Sequence, residues 1–313
     1  MKKLNIVFLG TPDFSVPSLE VLANHPDVNL VSVITMPDRP AGRGQKLTSP
    51  PVAQFAKDNN IPLFQTENIN KEKAFLADLR LKNIDLFIVL AFAQFLKKDV
   101  LDLPNIGCFN IHTSLLPKYR GAAPIQYAIL NGDTVTGVSI QKMVAQMDAG
   151  DLVYSQEVKI DPRENSGQLF DRLKVFAAEG LKVFLKNLLS NNIIYKAQDP
   201  SKISFAPTIK KEDGHLKFSE KTAEEIINQI RAFNPWPSAY CFFGGKRMKV
   251  IWAELNPKDL CPGTVDISNN QLKIGCRKGT LQILEVQLEG KKPCSTTELL
   301  NGIKNKNEPI LVS

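Results

Sequence analysis

Asn110 and His112 stand two residues apart at the end of the apolar run Ile106–Ile111. On an extended chain that spacing turns both side chains to one side, into one crevice. Both can donate hydrogen bonds, and an imidazole can also carry a charge near neutral pH. Downstream, Asp148 lies within Met147–Asp151, just past a strand-like stretch at Gly137–Ile140, on a loop that could return to the same edge. Amide, imidazole and carboxylate in one cleft can stabilise an oxyanion and move a proton. The same residues also fit plainer roles, with Asn110 a cap, His112 a core histidine and Asp148 a turn residue. Spacing alone leaves both readings standing. The chain has only three histidines, His25, His112 and His215, so the placement of His112 carries some weight.

The elements that must position these residues alternate in type. Strands are predicted at Leu4–Leu9, Asn29–Thr35, Ile61–Phe64, Ile84–Leu90 and Ile106–Ile111, and helices through about Ala23, over Lys71–Leu81 and over Gln168–Leu189. The last two strands are apolar on both faces, as a central parallel sheet requires. This βαβ rhythm predicts an α/β class domain with a doubly wound, mostly parallel sheet, whose ligands sit beyond the carboxyl ends of the strands. Residues 190–206 are polar and read as a linker. Five strand-like runs then follow with Gly and Pro between them: Ala239–Phe243, Met248–Ala253, Gly263–Ile267, Gln271–Cys276 and Thr280–Gln287. They predict a small C-terminal OB-like β-barrel. The expected division is 1–189, then a linker at 190–206, then 207–313.

Two domains also suit the length of 313 residues, which exceeds one ordinary core. The net charge of +7 fits a polyanionic partner or simple solubility. Five scattered cysteines without a C-x-x-C pair offer neither a disulfide framework nor a zinc site, and no metal is expected. No stretch approaches the ~18 apolar residues of a membrane span. MKKLNIVFLGTPDFS reads as a first buried strand and not as a signal peptide, so a cytoplasmic protein without membrane contact is expected. The loop Met36–Pro51 carries Arg39, Arg43 and Lys46 among Gly and Pro, and a loop of that length is usually functional or disordered. It contains no G-x-x-x-x-G-K-[ST], and Gly10-Thr-Pro lacks the further glycines of a dinucleotide site. Nucleotide triphosphates and dinucleotides are thus disfavoured as ligands.

The stretches FNIHTSLLPKYRGAAPIQYAILNGD and GVSIQKMVAQMDAGDL closely resemble the 10-formyltetrahydrofolate-dependent formyltransferases. The elements N-x-H, S-L-L-P-x-[YW]-R-G and D-x-G-D stand in that family's order and spacing. GTPDFS at Gly10–Ser15, PDRPAGRGQKL at Pro37–Leu47 and RAFNPWP at Arg231–Pro237 extend the resemblance, nearly end to end, to the methionyl-tRNA formyltransferase branch. That resemblance implies a Rossmann-like catalytic domain followed by an OB-like tRNA-binding domain. It implies transfer of the formyl group of 10-formyltetrahydrofolate to the free α-amine of initiator methionyl-tRNA, for translation initiation.

In that scheme Asn110 and His112 stabilise the oxyanion, and Asp148 holds a water or His112 in place. The folate is held by Ser114, Leu115, Leu116 and Pro117 and by the apolar edge Val89, Leu90, Phe95 and Leu96, for which plain core packing is an equal reading. Arg39, Arg43 and Lys46 clamp the acceptor end of the tRNA. The region from Pro207 onward holds 16 Lys+Arg against 12 Asp+Glu, a modest bias that suits contact with a phosphate backbone. Nothing demands more than a monomer. Two departures fall on the folate side: Ala91-Phe92-Ala93-Gln94 stands where the family usually has Tyr-Gly, and Thr113 where Gly or Ala is usual. Pro235-Trp236-Pro237 reads as a rigid turn whose indole packs at a domain junction. Three alternatives stay open. One is a formyltransferase or formyl hydrolase of the same fold with a small-molecule amine, and the second is a non-catalytic tRNA-binding protein. The third is a loop that binds the phosphate groups of a nucleotide cofactor, against which the missing glycine fingerprints argue.

Overall fold

In the computed structural model, residues 3–42 and 44–302 are described; Arg43, one of the predicted tRNA contacts, lies outside them. The chain divides into two compact units, one of residues 1–121, 136–158 and 170–205, the other of 122–135, 159–169 and 206–313.

The apolar runs of the first unit form the strands expected of them. All five residues of Leu86–Leu90 are buried, as a strand covered on both faces must be. Seven strands make one sheet, in the order Leu152–Lys159, Val135–Lys142, Gly107–His112, Leu86–Leu90, Leu4–Gly10, Val28–Thr35 and Leu63–Gln65. From Gly107–His112 to Leu63–Gln65 each neighbouring pair is parallel. Val135–Lys142 then runs antiparallel to Gly107–His112, setting Gln141 opposite Asn110 and Ser139 opposite His112. Lys142 falls opposite Phe109, and the chain beyond it doubles back to set Asp148 beside Gln141 and Asn110.

The helix Ser166–Leu189 buries Leu173, Ala177, Leu181, Phe184 and Leu185 along one face. Phe184 packs its ring 4.7 Å from that of Phe109, on the strand that also bears Asn110. Several elements were not foreseen. Leu152–Lys159 is a strand whose alternation is half polar, since only Val158 is fully buried. The expected loop at Met36–Pro51 contains a hairpin, Arg39–Ala41 against Lys46–Thr48, and runs straight into the helix Pro51–Asp58.

In the second unit six strands form an antiparallel sheet: Tyr240–Phe243, Lys246–Asn256, Thr280–Leu288, Gln271–Gly275 and Val265–Ser268 in spatial order, with Cys294–Ser295 on Thr280–Leu288. The curled sheet fits the small barrel expected, with the strand Cys294–Ser295 added. Its apolar face packs with Ile226 and Ile230 of the helix Ala223–Ala232 around Met248, Val250, Ile274 and Ile283. That helix starts at a capping box, in which Thr222 and Glu225 satisfy each other's backbone amides. One expectation is corrected here. Trp236 is 49% exposed and so is not a packed indole. The turn is instead held through its backbone, because Ser166 Oγ and the Gly167 amide both donate to the Asn234 carbonyl.

Candidate active site

The strand Gly107–His112 delivers Asn110 half-buried and His112 only 7% exposed at its carboxyl end. His112 Nε2 lies 2.9 Å from the Tyr119 carbonyl. A carbonyl can only accept, so Nε2 carries hydrogen there and Nδ1 is the nitrogen left to face the cleft. Asp148 answers it, with Oδ2 3.8 Å from His112 Nδ1. The other oxygen, Oδ1, lies 3.4 Å from Asn110 Nδ2. Both separations are long. They leave a second Nδ2 hydrogen of Asn110 and the Nδ1 side of His112 able to address a third group between them.

Asp148 is held more firmly than those distances imply. Gly121 N donates to Oδ2 at 2.9 Å and Gln141 Nε2 to Oδ1 at 2.8 Å. Its backbone takes the left-handed conformation, with φ of 51°, which short polar residues tolerate best. The glycine two residues on has a steric cause: a Cβ at Gly150 would run into the Lys142 carbonyl. Gly150 N in turn donates to Gln141 Oε1 at 3.1 Å. Gln141 is thus clamped at both ends, to the carboxylate and to the loop that carries it. Asn110 and His112 from one strand and Gln141 from its neighbour thus meet at one carboxylate carried on a turn.

The turn Ser114–Pro117 is tied down from within. Ser114 Oγ donates to the Lys118 carbonyl at 2.6 Å, and Ser139 Oγ donates to the Ser114 carbonyl at 2.7 Å while accepting from Leu116 N at 3.1 Å. Ser114, Leu116 and Pro117 are buried and Leu115 is half-buried. Of the apolar edge, Val89, Leu90 and Leu96 are core residues, whereas Phe95 is 60% exposed. Ala91 and Ala93 both take left-handed backbone, at φ of 50° and 60°, in the segment where the family resemblance leads one to expect a glycine. Gln94 pins this segment by accepting from Ile69 N and donating to the Thr66 carbonyl, both at 2.8 Å.

Arg39 and Lys46 lie on the exposed hairpin, and Arg39 pairs with Glu67 at 3.7 Å. The base of the hairpin is fixed by Asp38. Hydrogen bonds from Gln65 and then Ser49 hold its carboxyl below the usual carboxylate range, aided by Lys57. Among the described residues no group of His, Cys, Asp and Glu is placed to hold a metal ion, and no helix is long and apolar enough to cross a membrane.

Residues 2–185 match the formyl transferase family and residues 208–304 match the formyl transferase C-terminal domain. Methionyl-tRNA formyltransferase of Geobacter sulfurreducens is 38% identical over 305 residues, covering 97% of this chain and 95% of the relative. The enzyme of that name from Desulfotalea psychrophila is 40% identical over 313 residues, covering 99% and 96%. Among solved structures, the sugar 3N-formyl transferase WlaRD, in the presence of dTDP and 5-N-formyl-THF, superposes with a TM-score of 0.67 at 22% identity, over 93% of this chain and 100% of that one.

Proposed function

This chain belongs to the methionyl-tRNA formyltransferase family, and from that membership we propose how its residues perform formyl transfer to methionyl-tRNA. The formyl donor is a folate, which we take to be 10-formyltetrahydrofolate. The α-amine of methionyl-tRNA attacks the formyl carbon, and a C–N bond forms while the formyl oxygen becomes an oxyanion. Asn110 Nδ2 donates to that oxygen, as does His112 through Nδ1 once that nitrogen carries a proton, and the Asp148 carboxylate 3.8 Å from Nδ1 then offsets the added charge. As the carbonyl reforms, the bond to N10 of the folate breaks, and the proton lost by the attacking amine ends on N10. Each oxyanion donor contributes about 3–4 kcal/mol, or roughly a hundred- to a thousandfold in rate. The observation that carries this reading is the meeting of Asn110, His112 and Asp148 at the carboxyl end of a central strand.

The folate lies against Ser114–Pro117 and the segment after Leu86–Leu90, where the Phe95 ring offers an uncovered apolar face. Val89, Leu90 and Leu96 shape that wall from beneath. The hairpin with Arg39 and Lys46, and Arg43 between them in sequence, addresses the tRNA acceptor end by charge. Functionally, 1–189 is the catalytic part, 190–206 a connection and 207–313 the tRNA-binding part, and the enzyme acts as a cytoplasmic monomer on initiator methionyl-tRNA. The test is transfer of labelled formyl from 10-formyltetrahydrofolate to methionylated initiator tRNA, uncharged tRNA and an amino-sugar nucleotide. Transfer to the methionylated tRNA alone is expected; preferential transfer to the sugar would sink the acceptor assignment.

A further inference from the structure

The polar stretch that reads as a linker in the sequence is stitched along the site. Leu152 and Lys196 exchange both backbone hydrogen bonds, at 2.8 and 2.9 Å. Tyr119 N donates to Ser204 Oγ at 2.9 Å and Arg120 N to the Ser204 carbonyl at 2.8 Å. Between these ties the chain is exposed from Ile194 to Ala197 and from Asp199 to Lys202, and Gln198 alone of that run is drawn inward.

Every polar atom of the Gln198 amide is in use. Oε1 accepts from both Arg120 Nε, at 3.1 Å, and Arg120 Nη2, at 2.7 Å. Nε2 donates to the Asp148 carbonyl at 2.9 Å and to the Gly150 carbonyl at 2.7 Å. Arg120 is 5% exposed, so its charge acts on the amide with little screening from water. A cation on the amide oxygen polarises the group and strengthens its two N–H donors, because hydrogen bonds in a chain reinforce one another. Those donors fall on the two carbonyls that flank the turn carrying Asp148. That turn needs support, since Asp148 sits at φ of 51°, a backbone region that persists where its surroundings fix it.

We infer that Gln198 is a positioning residue for formyl transfer: polarised by Arg120, it locks the Asp148–Gly150 turn and so aims the Asp148 carboxylate at His112 and Asn110. Gln141 grips the carboxylate and the Gly150 amide, while Gln198 grips the carbonyls of the same turn. The turn is thereby held on both its donor and its acceptor groups. The inference rests on Asp148 being the carboxylate of the site.

Four variants of the full chain, Gln198→Ala, Gln198→Glu, Asp199→Ala and Asp148→Asn, separate the possibilities by kcat, both KM values and Tm. A glutamate keeps a partner for Arg120 but has no N–H for the two carbonyls. The expected result is a fall in kcat of about 10- to 100-fold for both Gln198 variants, with both KM values little changed and Tm retained in Gln198→Glu. Asp199→Ala, which removes local contacts to Ser201 and an exposed ion pair with Lys202, leaves kcat unchanged. Wild-type kcat in Gln198→Glu would overturn the inference, since neutralising Arg120 would then suffice. So would a loss in Gln198→Ala that Asp199→Ala matches. Should Gln198→Ala not fold, Gln198→Glu decides alone. Full activity in Asp148→Asn is a separate failure, removing the catalytic assignment on which the inference stands.

Discussion

The Asp148 cluster and the Arg39–Thr48 hairpin both carry polar groups proposed to meet substrate, yet they are built oppositely. Around Asp148, contacts come from Gly121, Gln141, Asn110 and Gln198, residues far apart in sequence, and the participants are half-buried or buried. The hairpin has three-residue arms, exposed Arg39, Lys46 and Leu47 and, for Arg39, an exposed ion pair at 3.7 Å, a kind of contact worth little in water. The contrast fits the demands of the two proposed tasks. Stabilising an oxyanion needs donors fixed before the reaction starts, whereas gripping a phosphate backbone needs charge that can adapt to it. Chemistry is assigned to the stitched region and recognition to the loose one.

The largest effect that can break this contrast is at the cluster. Asn110→Ala should lower kcat by about a hundred- to a thousandfold and leave both KM values nearly unchanged, because the contact matters in the transition state. Steady-state kinetics with a circular dichroism check of folding measures it, and a rise in KM with normal kcat would place Asn110 in ground-state binding. Gln141→Leu should cost about tenfold in kcat, since the carboxylate loses a 2.8 Å donor and the buried Gly150 amide loses its acceptor. If it proves silent, the cluster is less tightly specified than its hydrogen bonds suggest.

On the hairpin the effect should be smaller and of another kind. Arg39→Ala and Arg43→Ala should each raise KM for tRNA by about three- to tenfold, spare KM for folate and kcat, and weaken the salt dependence of tRNA binding. A fall in kcat with unchanged KM would mean that the loop takes part in chemistry. The smallest effect concerns the hairpin base. The hydrogen bonds to Asp38 lower its folded-state value below the ordinary carboxylate value of 3.8. Anchoring is therefore fully present above that value and is lost as pH falls through the folded one. Asp38→Asn at neutral pH should imitate the acid state, and amide exchange across the hairpin should quicken in both. Equal protection in wild type and variant would show the hairpin to be held by something else.

How much of this could be read from the chain depends on how local the signal is. Asn110 and His112 share a side because strand parity is written in their spacing, and the central strands declare themselves through unbroken apolar runs such as LFIVL. Leu152–Lys159 escaped notice because an edge strand with alternating polar residues lacks that run. Gln141 was hidden for a different reason. Its place beside Asn110 exists only through the antiparallel register of Gly107–His112 with Val135–Lys142, a long-range pairing that no short window contains. Gln198 lies in a stretch without periodicity, where polar composition looks like a solvated linker until its partners are known. Trp236 erred the other way: a large aromatic between two prolines promised a packed ring, but the turn is secured by backbone bonds to Ser166 and Gly167 and leaves the indole half in water.

The most direct measurement is single-turnover formyl transfer to methionylated initiator tRNA at saturating 10-formyltetrahydrofolate, comparing wild type with Asn110→Ala, His112→Ala and Asp148→Ala. The account predicts that each variant binds tRNA as wild type does and transfers formyl at least about a hundredfold more slowly. Folded variants that all transfer within a few-fold of the wild-type rate would contradict it.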